Sequence, residues 1–97
     1  MAWKILVTAR TLDVVGQQAL ASLRSAGCEL VLKPGPHPAE TLRRLIDGHD
    51  ACYASTDKFS EEVLSSPEAA RLKCISRWGV GYDSIDVNAA TLNGIVV

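Results

Sequence analysis

The residues best suited to chemistry are concentrated late in the chain, in Arg77-Trp78-Gly79-Val80-Gly81-Tyr82-Asp83. Gly79 and Gly81 allow a sharp bend and leave backbone N–H groups open to a ligand without side-chain obstruction. Such donors, at a turn from a strand into a helix and with Arg77 beside them, suit a small anion. A carboxylate has the right size. A plain tight turn would use the same two glycines, and spacing alone leaves both readings open. The imidazoles and thiols offer less. His37 and His49 lack metal-ligand spacing, and Cys28, Cys52 and Cys74 are far apart with no C-x-x-C pair. Each cysteine falls in or beside an expected strand, so all three read as reduced, buried, small apolar residues, without metal or disulfide roles. His49, between Gly48 and Asp50, reads as a solvated loop histidine at the edge opposite the ligand crevice.

A loop of this kind needs a strand before it and a helix after it. Leu72 to Ser76 supplies the strand. Ile85 to Leu92 supplies the helix, with Asp83 or Ser84 as its cap and Gly94 as its stop. The rest of the chain repeats the same unit. Trp3 to Thr8 is a largely apolar first strand. Leu12, Val15, Ala19 and Leu23 recur at helical spacing up to Gly27. Cys28 to Leu32 is a second strand, and Pro34-Gly35-Pro36-His37-Pro38 forbids regular structure after it. Leu42, Leu45 and Ile46 form the inner face of a second helix closing at Gly48, and Asp50 to Ala54 is a third strand. Ser60 is placed to cap a third helix, with Glu61 and Glu62 at the positive end of its dipole, and Pro67 interrupts it. Ile95-Val96-Val97 opens a fifth strand. Alternating strands and helices imply right-handed crossovers and a parallel sheet. The expected fold is α/β, a flavodoxin-like three-layer domain with about five strands in the order 2-1-3-4-5.

Ninety-seven residues form one small domain, and 47% apolar with 22% charged residues is ordinary globular composition, which excludes disorder. With a net charge of −1 and no basic stripe, nothing points to nucleic acid. The opening Met1-Ala2-Trp3-Lys4-Ile5-Leu6-Val7 is too short for a signal peptide or a membrane span. A cytoplasmic protein is expected.

The run Arg77 to Asp86, followed by Ala89-Ala90 and Gly94-Ile95-Val96-Val97, resembles the D-isomer-specific 2-hydroxyacid dehydrogenases. The similarity is greatest to the phosphoglycerate dehydrogenase and glyoxylate/hydroxypyruvate reductase branch, and it extends upstream over Ala51 to Val63 and Leu72 to Ser76. The resemblance implies an NAD(P)-dependent oxidoreductase acting on a D-2-hydroxy acid and its 2-keto acid, with NAD or NADP as cofactor. It implies that the backbone of Gly79, Val80 and Gly81 holds the substrate carboxylate, that Arg77 matches an arginine of many members, and that Ser55 and Thr56 can donate hydrogen bonds. At the position where phosphoglycerate dehydrogenases often carry an arginine, this chain has Ala54, which argues against a phosphorylated substrate. The family's catalytic arginine and histidine–glutamate pair would lie beyond residue 97. No catalytic residue is therefore assigned to this chain, and neither histidine occupies a matching motif.

Gly79 to Ser84 imitates the dinucleotide fingerprint but has Ser84 in place of its third glycine, so no cofactor-binding residue is assigned. The 97 residues accordingly read as the N-terminal segment of a substrate-binding domain, apparently truncated, with the nucleotide-binding domain absent. A three-residue last strand with nothing to cover the sheet gives the same expectation. The intact protein is expected to be a homodimer. The isolated segment is expected to be inactive, to bind no cofactor and to self-associate.

Two other classes compete. A phosphoacceptor receiver domain would share the strand order, but it needs an acidic pair after strand one and an aspartate ending strand three. Thr8-Ala9-Arg10 and Tyr53-Ala54 supply neither. A non-catalytic module that binds or senses a small carboxylate is the alternative. A complete G-x-G-x-x-G after a strand in adjoining sequence would discriminate against it.

Overall fold

A computed structural model describes residues 3–9, 14–54, 57–77 and 85–97. In chain order the elements are β1 (Lys4–Val7), α1 (Val14–Ser25), β2 (Glu29–Leu32), α2 (Ala39–Ile46), β3 (Ala51–Ala54), α3 (Glu61–Leu64), a 3-10 turn (Pro67–Ala69), β4 (Cys74–Arg77) and α4 (Val87–Leu92). The four strands form one sheet in the order β2-β1-β3-β4, and every pairing is parallel. Leu6 lies opposite Val31 and Cys52, and Cys52 lies opposite Ile75. The fifth strand is reduced to a single parallel bridge between Cys74 and Val96. Ile75 N–H donates to the Val96 carbonyl and Val96 N–H to the Lys73 carbonyl, so the segment sits beside β4 where a fifth strand would run.

Alternation along each strand divides the side chains between two layers. Leu6, Cys52, Ala54 and Ile75 face the larger core, where Leu42 and Ile46 of α2, Phe59, Val63 and Leu64 of α3, and Ala89 and Ala90 of α4 meet them. Ile5, Val7 and Ala51 face the other side and pack with Leu20 of α1. The deepest residue of α1 is thus Leu20, whereas Ala19 and Leu23, chosen by spacing, are only half-buried; Leu12 lies outside the described residues. Leu42 and Ile46, four apart on α2, are fully enclosed. Gly48 follows that helix with φ +76°, a conformation that side chains with a Cβ seldom adopt.

Three local expectations need correction. Ser60 precedes α3, but its side chain makes no capping bond. The helix is a single turn because Ser65 Oγ and Ser66 Oγ donate to the Glu61 and Val63 carbonyls (both 2.6 Å) and Pro67 follows. The cap of α4 is Asp86, whose Oδ1 accepts the Ala89 N–H at 3.0 Å, and the helix starts at Val87. Asp83 and Ser84 lie outside the described residues. Ile85 is not helical because it bridges Phe59 and is buried.

His49 is the third correction, since it is buried, not solvated. Its Nδ1–H donates to the Asp47 carbonyl at 3.2 Å, and its Nε2 is enclosed with no partner. Beside it Asp50 accepts the Lys4 N–H (2.9 Å) and the Arg71 guanidinium (3.2 Å), tying together the N-terminal ends of β1 and β3. The Lys4 hydrogen bond first, then the Arg71 charge, hold the Asp50 carboxyl below its ordinary value against the opposing effect of burial.

Candidate functional site

In an open parallel sheet, ligands collect beyond the C-terminal strand ends, where connections leave neighbouring strands in opposite directions. Here that point lies between β1 and β3, with β2 outside one and β4 outside the other. The residues that meet there are Thr8 and Ala9 after β1, Gly35 and His37 after β2, and Asp57 after β3.

Asp57 organises them. Its side chain is wholly buried, and it lies one residue beyond Thr56. Thr8 Oγ1–H donates to Oδ1 at 2.6 Å, and the His37 backbone N–H donates to Oδ2 at 2.9 Å. Thr8 is itself fixed, since its N–H donates to the Tyr53 carbonyl and its own carbonyl receives the Gly35 N–H, both at 2.9 Å. His37 spends its Nε2–H on the Lys33 carbonyl at 2.7 Å. Burying a carboxylate is costly unless its oxygens are hydrogen-bonded, and here both are. The group therefore serves as a tie between three loops.

Cys52 lies beneath this tie. Burial, reinforced by the Asp57 charge and opposed by the Thr8 hydroxyl, pushes its thiol up to about 12. It stays protonated at neutral pH and offers no nucleophile. Cys28 and Cys74 are also free thiols but only half-buried, which corrects the expectation that all three are enclosed.

Of the residues expected to bind substrate, Arg77 is described. It ends β4, half-buried, opposite Ala54 in the ladder, so it borders the crevice. Ser55, Thr56, Gly79, Val80 and Gly81 lie outside the described residues, as does Arg10. Lys58 is exposed. Ala54 is fully enclosed in the larger core, so this position presents no cation to a ligand.

Sequence reasoning missed Asp57, which reads as one more polar loop residue. The available signal was positional. In the order 2-1-3-4, a hydroxyl at the end of β1, a glycine after β2 and an acid after β3 converge at one point.

A second concavity lies elsewhere. An open apolar groove of about 700 Å³ runs along the α1 side of the sheet, lined by Trp3, Leu23, Cys28, Tyr53 and Cys74 among others. Ser22, Ser76 and Arg77 also line it, so Arg77 borders both the groove and the crevice. At the crevice, the described turns after β1 and β3 (Thr8-Ala9 and Asp57-Lys58) hold no glycine, and the enclosed Asp57 is already spent on Thr8 and His37. A dinucleotide pyrophosphate finds no bare backbone turn among these residues, so they do not fit NAD. Among the described residues, no group of three or more His, Cys, Asp or Glu side chains could hold a metal ion.

The family model for the D-isomer specific 2-hydroxyacid dehydrogenase catalytic domain matches residues 5–97. The chain belongs to that family. Its relatives are of more than one kind. It is 36% identical over 94 residues to the D-3-phosphoglycerate dehydrogenase of Archaeoglobus fulgidus, covering 97% of this chain and 17% of that protein. It is 36% identical over 88 residues to the glyoxylate reductase of Thermofilum pendens, covering 87% of this chain and 25% of that protein. Among solved structures, the NAD+-bound 3-phosphoglycerate dehydrogenase of Entamoeba histolytica superposes with a TM-score of 0.83 at 27% identity, over 99% of this chain and 32% of that one. The chain thus spans only about a sixth to a third of the length of these dehydrogenase relatives.

Proposed function

We propose that this chain is the N-terminal segment of the substrate-binding domain of an NAD(P)-dependent oxidoreductase that interconverts a D-2-hydroxy acid and its 2-keto acid. The observation that carries the reading is the family match over residues 5–97, together with a strand, β4, that delivers Arg77 to the crevice. Backbone N–H groups of Gly79, Val80 and Gly81 receive the substrate carboxylate, Arg77 supplies positive charge, and Ser55 and Thr56 donate hydrogen bonds. The substrate belongs to the 3-phosphoglycerate, glycerate/hydroxypyruvate or glyoxylate class. The enclosed Ala54 favours the unphosphorylated members, since a phosphate would find no arginine at that position.

Hydride transfer to a keto acid needs a cation to polarise the carbonyl and an acid to protonate the new alkoxide. In this reading both groups, and the site for NAD or NADP, belong to the remainder of a longer protein that works as a cytoplasmic homodimer. No helix among the described residues is long and apolar enough to cross a membrane, which is compatible with that placement.

The test is to assay the full-length protein with NADH and NADPH against glyoxylate, hydroxypyruvate and 3-phosphohydroxypyruvate. Turnover of glyoxylate or hydroxypyruvate is expected, with Arg77→Ala raising the KM of the keto acid more than it weakens nicotinamide binding. The 97-residue chain alone should oxidise no NADH. Saturable oxidation by the short chain, or no turnover of any of the three acids by the full-length protein, would overturn the proposal.

A further inference from the structure

We infer that the outer edge of β2 is an interaction surface for a second copy of this chain, with Glu29-Leu30-Val31-Leu32-Lys33 pairing antiparallel to itself about Val31. The inference goes beyond the reading above, which assigns no surface to the homodimer, and it does not depend on the substrate. β2 ends the sheet and, among the described residues, has β1 on one side only. The Glu29 and Lys33 N–H groups donate to the Trp3 and Val7 carbonyls (2.8 and 2.9 Å), so residues 29, 31 and 33 turn their backbone groups toward β1. Those of Leu30 and Leu32, which alternate with them, point along the open edge. About a two-fold axis at Val31, Leu30 of one copy lies opposite Leu32 of the other, and such a pair exchanges both backbone hydrogen bonds. The ladder is confined to this stretch, because the Cys28 N–H is spent on the Leu23 carbonyl at 3.0 Å and Pro34 has none to give.

The side chains match in the same register. Leu32 is 48% exposed, and Leu30 is half-buried beside the smaller core. Pairing sets the Leu32 of each copy against the other's Leu30 on the α1 side, where its apolar surface leaves water. On the α2 side Val31 meets Val31, and the exposed Glu29 meets the exposed Lys33 as an opposite charge. Parallel pairing in register would instead set Glu29 beside Glu29 and Lys33 beside Lys33. A lysine followed by a proline would also guard an edge that stays solitary. The two cases differ in what Lys33 does, since a guard opposes association and a partner of Glu29 supports it.

The experiment places Val31→Cys in the full-length protein, with Leu30→Cys as the off-axis control. At the two-fold axis the Cα atoms of residue 31 in the two copies would stand about 4.5 Å apart, within disulfide reach. Diamide should therefore join two copies of Val31→Cys and few of Leu30→Cys, and peptide mass spectrometry separates this link from any at Cys28. Sedimentation with the native thiols alone reads the affinity. Lys33→Glu should weaken association at this edge about tenfold, Glu29→Lys likewise, and the double variant should return near the parent. A guarding Lys33 would give no change in either single variant. No link in Val31→Cys above the Leu30→Cys level, with folding intact by circular dichroism, would overturn the inference. Should Val31→Cys fail to fold, unchanged sedimentation in Lys33→Glu and Glu29→Lys would overturn it equally. Turnover of glyoxylate and hydroxypyruvate by the same samples reports on the reading above separately, and its absence would leave this edge untouched.

Discussion

The carboxylate of Asp57 occupies the space in which a side chain on Gly35 would begin. A Cβ on Gly35 would stand 2.6 Å from Oδ2 and 3.0 Å from Oδ1. The backbone of Gly35 is not in the left-handed region, so the constraint there is one of space. Nor can Asp57 easily yield, because its short side chain is held at both oxygens. Gly35→Ala should therefore destabilise the protein by about 1–3 kcal/mol, as overpacking of a filled site does. In an Asp57→Ala background the same substitution should cost much less, since the obstructing atoms are gone. A double-mutant cycle by urea denaturation reads the coupling directly. Additive effects would show that the two residues do not compete for that space.

The start of α4 gives a paired prediction. Asp86 caps the helix through a 3.0 Å bond from the Ala89 N–H, whereas Ser60 at the start of α3 makes no such bond. Asp86→Ala should cost about 1 kcal/mol, within the usual range of about 0.5–2 for a lost cap, and Ser60→Ala close to nothing. Urea midpoints of the two variants test this. Equal losses would mean that the cap residues had been distinguished wrongly.

Much of this architecture is legible in the residues, and the exceptions have physical reasons. The strand–helix alternation and the order of the first four strands follow from apolar runs punctuated by Gly27, Gly48 and Gly94, each at positive φ. Leu42 and Ile46 could be read as core from their spacing alone. The cap at Asp86 could not, because Asp83, Ser84 and Asp86 are all competent caps and the bridge between Ile85 and Phe59 decides among them. His49 looks like a loop residue in sequence, and only the packing around β1 and β3 encloses it. Asp57 is illegible for the same reason. Its partners Thr8 and His37 are 49 and 20 residues away, and no local pattern joins them.

The three thiols should differ in reactivity. Cys52 is enclosed, with its thiol pushed up to about 12 by burial and the Asp57 charge, while Cys28 and Cys74 are half-buried along the apolar groove. Alkylation of the native protein by iodoacetamide near pH 8 should label Cys28 and Cys74 and spare Cys52, since the thiolate is the reacting species. In urea all three should react. Peptide mass spectrometry reports each site separately, and rapid labelling of native Cys52 would contradict its burial beneath Thr8 and Asp57.

His49 should make the protein sensitive to mild acid. Burial first, and the Lys4 charge second, hold its imidazole below the ordinary value of 6.5. Its Nδ1–H already serves the Asp47 carbonyl, so a proton added at the enclosed Nε2 would meet no acceptor. In the unfolded chain His49 titrates near 6.5, so above that pH both states are neutral and no stability is lost. As the pH falls below 6.5 the unfolded state takes up a proton that the folded state resists, and stability declines until the lower folded value is passed. Asp50 does not confuse the measurement. Its contribution is present above the ordinary carboxylate value of 3.8 and is lost only as the pH falls through a folded value lower still. Urea midpoints at pH 7.5 and pH 5 should show a decline in the parent protein that is smaller in His49→Gln. An equal decline in both would place His49 in contact with water and remove the case for its neutral, enclosed form.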